Sequence, residues 1–225
     1  MLSALEIIAK LRCPMPKGVV QVGANAGQEL QSFYDAGVHQ GVFIEPLDAP
    51  FTVLQRLCAS VPGYLPIQAV CGARDGEDVT FHVANNFGAS SSTLKPLGHL
   101  EDYPHVDFVA EQKLTSFTLD RVMDTVHHHR PDLSGNLSLL YMDVQGAELS
   151  VLKGATRTLQ QIDYIYTEIG LGDTYENDVA MEDLFMFLKM FGFRLVEMTM
   201  IGDGAGGGGA GNAFLCRYTD RRWGR

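Results

Sequence analysis

Two kinds of apolar pattern alternate along almost the whole chain. One is a short unbroken run, as in Gly18–Val22, Gly41–Ile44, Leu137–Met142 and Tyr164–Thr167. The other repeats every three or four positions, as in Gln28–Ala36, Ala49–Ser60, Asp120–His128, Ala147–Leu159 and Val179–Phe191. Runs of the first kind read as strands buried on both faces, and those of the second as helices with one face on a core. Tyr64–Val70 extends the strand series. Strands alternating with helices predict one α/β domain, a mostly parallel sheet covered by helices on both faces. Gly37 and Gly192 stand where helices should stop. The middle differs. Asp78–Val83 alternates apolar and polar residues after an Asp75-Gly76 turn and predicts a half-exposed strand. Leu114–Leu119 predicts another short strand, and residues 85–105, rich in Asn, Ser, Gly, Pro and His, predict a long loop or lid. Phe193–Met200 and Ala213–Arg217 read as two last strands joined by a glycine-rich stretch, Gly202–Gly211. Met1–Cys13 reads as a short amphipathic helix within an N-terminal helical segment, 1–17. The domain then covers 18–218 and a tail 219–225, with no internal repeat and no second domain.

Composition narrows the function without naming it. The 225 residues suit one domain with a well-buried core, and 46% apolar with 20% charged residues is an ordinary globular balance. The net charge of −10 argues against nucleic acid or an anionic membrane surface as the main partner, since both reward Lys/Arg patches. Arg221, Arg222 and Arg225 read as a solvated end. Cys13, Cys58, Cys71 and Cys216 show no CxxC pair and no regular spacing, so a disulfide framework is not expected. The first residues lack the basic start and long apolar run of a signal peptide, and no stretch is long enough to span a bilayer. The expectation is a cytoplasmic protein with no integral membrane segment.

The chemistry concentrates where predicted strands end. Gly23-Ala24-Asn25-Ala26-Gly27 joins the first strand to a helix. Glycines at both ends let the chain bend sharply and come close to a ligand. A tight turn for packing alone has the same form, and the spacing lacks the third glycine of the dinucleotide fingerprint. Glu45 at the end of the next strand, about twenty residues on, can accept hydrogen bonds from both hydroxyls of a ribose. Together the turn and the acid point to a nucleoside ligand. Asp143 and Glu168 lie at two later strand ends, so with Glu45 they are expected to converge on one cleft. There a carboxylate can take a proton from a substrate hydroxyl, or simply cap the following helix. His82 on the polar face of its strand is a further candidate, and His99 and His105 sit in the lid. His127, His128 and His129 read as a solvated helix end, because adjacent helical residues diverge. The glycines at 204–209 are followed by neither Lys-Ser/Thr nor a helix, so no P-loop is present.

These features resemble the FkbM family of S-adenosylmethionine-dependent methyltransferases from about residue 18 to 218. The resemblance rests on Val22-Gly-Ala-Asn-Ala-Gly27, Phe43-Ile-Glu-Pro46, Ala69-Val70, Val79-Thr-Phe-His-Val83, Ser91-Ser92, Thr118-Leu119-Asp120 and Thr167-Glu-Ile169. Its most specific part is Met142-Asp-Val-Gln-Gly-Ala-Glu148 with Leu152-Lys-Gly-Ala155. The resemblance implies a Rossmann-like sheet of seven strands whose last strand is antiparallel to the rest. It implies S-adenosylmethionine as cofactor. The cofactor-binding set is Gln21, Gly23, Ala24, Asn25, Gly27, Gln28, Glu45, Pro46, Ala69, Ser91, Ser92, Asp143 and Val144. Gly23, Asn25 and Gly27 would face the methionine end, and Glu45 the ribose. Gln21 departs from the family pattern, which usually has an acid there.

The implied reaction is methyl transfer to a hydroxyl of a sugar, glycoside or small natural product, with Asp143, then Glu168, then His82 as catalytic base. A divalent metal between carboxylates is an alternative way to acidify the hydroxyl. Two other functions fit parts of the pattern. A nicotinamide-dependent oxidoreductase shares the glycine turn and acid but would want G-x-G-x-x-G, which Gly23–Gly27 does not supply. A binding protein that keeps the fold without turnover is favoured only by Gln21.

Overall fold

A computed structural model of the protein describes residues 3–97, 104–170, 174–176, 179–201 and 210–218. Seven strands form the main sheet: β1 (Val19–Val22), β2 (Gly41–Ile44), β3 (Tyr64–Ile67), β7 (Leu139–Met142), β8 (Tyr164–Gly170), β9 (Phe193–Ile201) and β10 (Ala210–Arg217). Their order is β3-β2-β1-β7-β8-β10-β9. β1, β2, β3, β7 and β8 pair in parallel, whereas β10 runs antiparallel to both of its neighbours. This is the predicted Rossmann-like sheet. The chain leaves β1 toward β2 on one side and later returns to β7 on the other. The crevice at the end of β1 is therefore the topological switch point where open α/β sheets bind ligands.

Alternation along each strand splits the core between two sheet faces. Val20, Val42, Leu140 and Ile165 pack with α4 (Leu119–His129), α5 (Glu148–Lys153) and α6 (Met181–Met190). Val19, Phe43, Leu139, Tyr164 and Phe214 pack with α1 (Ala4–Lys10), α2 (Leu30–Asp35) and α3 (Asp48–Ser60). A Ser3/Glu6 capping box starts α1, whose Lys10 reaches Glu197 at 2.8 Å. Cys58, Cys71 and Cys216 are buried. No helix among the described residues is long and apolar enough to cross a membrane.

Three expected elements take another form. Tyr64–Val70 divides: β3 ends at Ile67, and Val70–Cys71 (β4) turns into a second sheet of order β4-β6-β5. Here β5 (Glu77–Ala84) pairs along nearly its whole length with β6 (Phe108–Phe117), longer than the Leu114–Leu119 run and ending sooner. Thr118 leaves the strand because its side chain accepts the Arg121 N–H and caps α4. Ala147–Leu159 is interrupted after Lys153. A Cβ on Gly154 would lie 2.1 Å from the Gly72 carbonyl oxygen, so the chain passes too close to continue a helix with any other residue. Asp120 then gathers the N–H groups of Arg157 and Thr158 at 2.9 and 2.7 Å and folds the chain into a 3-10 turn. The Thr118-Leu119-Asp120 and Leu152-Lys-Gly-Ala155 motifs are thus two halves of one structural latch. His99 and the glycine run at 204–209 lie outside the described residues.

Candidate functional site

At the switch point lies a cavity of about 870 Å³, counting its open mouth. β1 supplies its floor through Gln21 and Val22, and the glycine turn supplies Gly23 and Asn25. Gly23 has φ +79°, and a Cβ there would sit 1.8 Å from the main-chain oxygen of Asp143. Only glycine lets the turn after β1 pass the turn after β7. Asn25 is left-handed at φ +44°, a conformation its short amide tolerates. That amide donates to the Phe87 carbonyl at 2.9 Å and accepts from the Ala26 N–H, tying the glycine turn to the loop after β5.

Glu45 follows β2 and is 5% exposed. One carboxylate oxygen accepts the Asn25 N–H at 2.9 Å and the other the Leu47 N–H at 2.9 Å. Burial pushes its pKa up to about 7, against the two main-chain donors that favour the charged form. Each oxygen keeps a lone pair for a ligand hydroxyl. Beyond it Pro46, Ala69, Val70, Cys71 and Phe81 make an apolar wall that suits a flat base. Burial raises the Cys71 thiol to about 12, so this sulfur is an inert part of the wall.

The opposite end is polar. Asp143 is exposed at the end of β7. Gln145 stands beside it at φ +55°, and its amide nitrogen donates to Asp143 at 2.7 Å and to Glu168 at 2.5 Å. The Tyr175 hydroxyl lies 3.0 Å from the Gln145 side-chain oxygen and 3.0 Å from the Ser90 carbonyl. Ser92 donates to the Gln145 carbonyl at 2.7 Å. One glutamine therefore holds two carboxylates and two loop segments. Neither acid caps α5: the side chain that reaches back to the Val144 N–H is Glu148, at 3.1 Å.

Of the expected residues, Gln21, Gly23, Asn25, Gln28, Glu45, Pro46, Ala69, Ser91, Asp143 and Val144 line this cavity. Ala24, Gly27 and Ser92 do not. Ala24 is in the core, Gly27 backs onto Leu54 and Leu57, and Ser92 braces Gln145 from behind. Glu168 is separate too, because β8 runs on to Gly170 and leaves it inside the strand, lining a small adjoining cavity with Gly146 and Glu148. The Gln145 amide joins it to Asp143. His82 is turned away: alternation along β5 gives Phe81 the cavity wall, while His82 faces Glu111 across the ladder at 3.4 Å. His105 is exposed, and no group of metal-ligating side chains occurs among the described residues. Glu29, Phe81, Gly88, Ala89 and Gln145 were not legible as site residues in the sequence. For Phe81, the apolar face Val79-Phe81-Val83 was the available signal. Glu29 carried none, being one acid among many at the start of a helix.

A nucleoside-sized crevice at the switch point of a seven-stranded sheet in this order defines the Rossmann-like methyltransferase class. Within it, the chain belongs to the FkbM methyltransferase family: residues 21–195 match the methyltransferase FkbM domain. Its cofactor is S-adenosylmethionine. The 2-O-methyltransferase NoeI of Sinorhizobium fredii (strain NBRC 101917 / NGR234) is 24% identical over 198 residues, 83% of this chain and 76% of that protein. The crystal structure of methyltransferase FkbM from Methylobacillus flagellatus KT matches with a TM-score of 0.52 at 14% identity, over 89% of this chain and 44% of the other. That likeness concerns the fold. The cavity itself suits the cofactor, with a paired acceptor for a ribose at Glu45, an apolar slot beyond it and a polar end at the glycine turn.

Proposed function

We propose that the protein transfers a methyl group to a hydroxyl of a sugar, glycoside or small natural product, with Asp143 as the base. The observation that carries this reading is that the exposed Asp143 lines the same cavity as the buried Glu45. Glu45, the glycine turn, Ala69 and Ser91 would hold the cofactor. When bound, S-adenosylmethionine supplies an electrophilic methyl carbon on a sulfonium. Asp143 is exposed, so an acceptor can reach it, and its carboxylate can take the hydroxyl proton as the oxygen attacks. Gln145 holds the carboxylate in place, and alignment of acceptor and methyl carbon is the protein's other contribution. Among the described residues no lysine or arginine lines the cavity, so a neutral acceptor is favoured over an anionic one. The relation to a protein named a 2-O-methyltransferase supports a hydroxyl acceptor.

The test is transfer of labelled methyl from S-adenosylmethionine to a panel of mono- and oligosaccharides and glycosides, with products located by mass spectrometry. A product carrying the label on oxygen is expected. Asp143→Asn should lower kcat by about 10²- to 10⁴-fold, the usual contribution of a general base, with S-adenosylhomocysteine affinity kept within about threefold. Undiminished turnover in that variant would remove Asp143 from the role. Label appearing only on nitrogen would overturn the hydroxyl reading.

A further inference from the structure

The floor of the cavity holds a polar group with an unmet requirement. Gln21 is 1% exposed, and its amide nitrogen donates to Glu29 at 2.8 Å. The amide has only one sensible orientation, since turning it over would set its oxygen against a carboxylate. Gln21 lines the cavity, and its side-chain oxygen is buried there with no hydrogen-bond partner. Beside it the half-buried Glu29 lines the same wall. Behind both stands Tyr141, whose hydroxyl burial pushes up first and the negative charge of Glu29 next. This corner thus offers a free carbonyl and a carboxylate and no basic side chain. Such a corner repels phosphate and accepts a group that is positive and rich in N–H donors.

We infer that Gln21 and Glu29 form the seat of the primary ammonium at the amino-acid end of the cofactor, Glu29 supplying the charge that position 21 lacks. The inference rests on the cofactor reading and adds a residue to it. A neutral Gln21 then weakens nothing, because the carboxylate enters from the start of α2 instead of from β1. The same corner excludes the pyrophosphate of a dinucleotide from a glycine turn that would otherwise suit one.

Calorimetric titration of the full chain at pH 7.5 tests this with two ligands. S-adenosylhomocysteine carries the ammonium, whereas 5′-methylthioadenosine keeps the nucleoside and sulfur without the amino-acid end. Glu29→Gln can still accept the Gln21 bond and loses only charge. It should weaken S-adenosylhomocysteine by at least about tenfold, the scale of a charge-assisted hydrogen bond, and leave 5′-methylthioadenosine within about twofold. Adding Gln21→Glu to that variant should restore S-adenosylhomocysteine to within about threefold of wild type. Equal weakening of both ligands, or of neither, overturns the assignment while the cofactor reading stands. A wild-type protein that binds neither ligand overturns the cofactor reading and this inference with it.

Discussion

Both ends of the crevice carry a carboxylate, held in opposite ways. Glu45 is buried, and two main-chain N–H groups belonging to the glycine turn and the start of α3 grip its oxygens. Asp143 is exposed, and its side-chain restraint is Gln145, which is itself braced by Tyr175 and Ser92. A main-chain grip is as rigid as the sheet that supports it. A side-chain grip depends on loops that come from distant parts of the sequence. The first arrangement suits an invariant ligand such as a ribose. The second suits a group that must meet differing acceptors and change its protonation during turnover. With Glu45 as the proposed binding residue and Asp143 as the proposed base, binding and chemistry share one crevice yet draw on parts of the fold with different stiffness.

The sharpest way to break this contrast is at the point where both ends meet. Gly23→Ala would drive a methyl group into the Asp143 main chain and disturb both carboxylates together. Forced left-handed backbone costs about 1 kcal/mol and overpacking about 2 kcal/mol. A loss of roughly 3 kcal/mol corresponds to a melting temperature lowered by about 6–12 °C in a chain of this size, with binding of S-adenosylhomocysteine lost. Scanning calorimetry and titration would show both, and an unshifted transition would mean that the two turns do not meet so closely.

A smaller effect should separate the two ends. Gln145→Ala removes the bonds to Asp143 and Glu168 and should lower kcat about tenfold while S-adenosylhomocysteine binds as before. Gln145→Glu sharpens the point by placing a third carboxylate between the other two. Like charges favour protonation, so the acid limb of the kcat profile should move to higher pH, a shift that a merely structural role would not produce.

The mildest test is pH alone. Glu45, raised to about 7, is progressively protonated below that value, and only the carboxylate can accept both ribose hydroxyls. S-adenosylhomocysteine should therefore bind up to about tenfold more weakly at pH 6 than at pH 8, and Glu45→Gln should bind weakly with no such slope. A wild-type affinity that is flat between these values would place the Glu45 pKa well below 7.

Local chemistry made the Glu45 end legible in the sequence. A glycine turn, the following strand and its terminal acid are close in sequence, and each obeys a short-range rule about positive φ, strand length or strand-end position. The Asp143 end was only half legible. Asp143 sits at a strand end and could be named, but Glu168 could not be placed, since the length of β8 is set by pairing with β10. His82 failed for a related reason. An alternating strand has two faces, and which one meets the cavity depends on a second sheet formed with β6, twenty-odd residues away. Glu29 and Gln145 were silent because a polar residue gains meaning only from the partner opposite it.

The sequence by itself determined the alternation of strands and helices and the tight glycine turn after β1, because these follow from periodicity and from what glycine alone can do, while the count of seven strands followed from the resemblance to the FkbM family. Tertiary structure alone decided that the Gln21 oxygen is left without a partner beside Glu29, that Gln145 couples Asp143 to Glu168, and that Phe81 rather than His82 walls the cavity. Those outcomes depend on distances between segments 8 to 60 residues apart, and only the packing of β1 against β7 and of the small sheet against the crevice brings such segments within a hydrogen bond of one another.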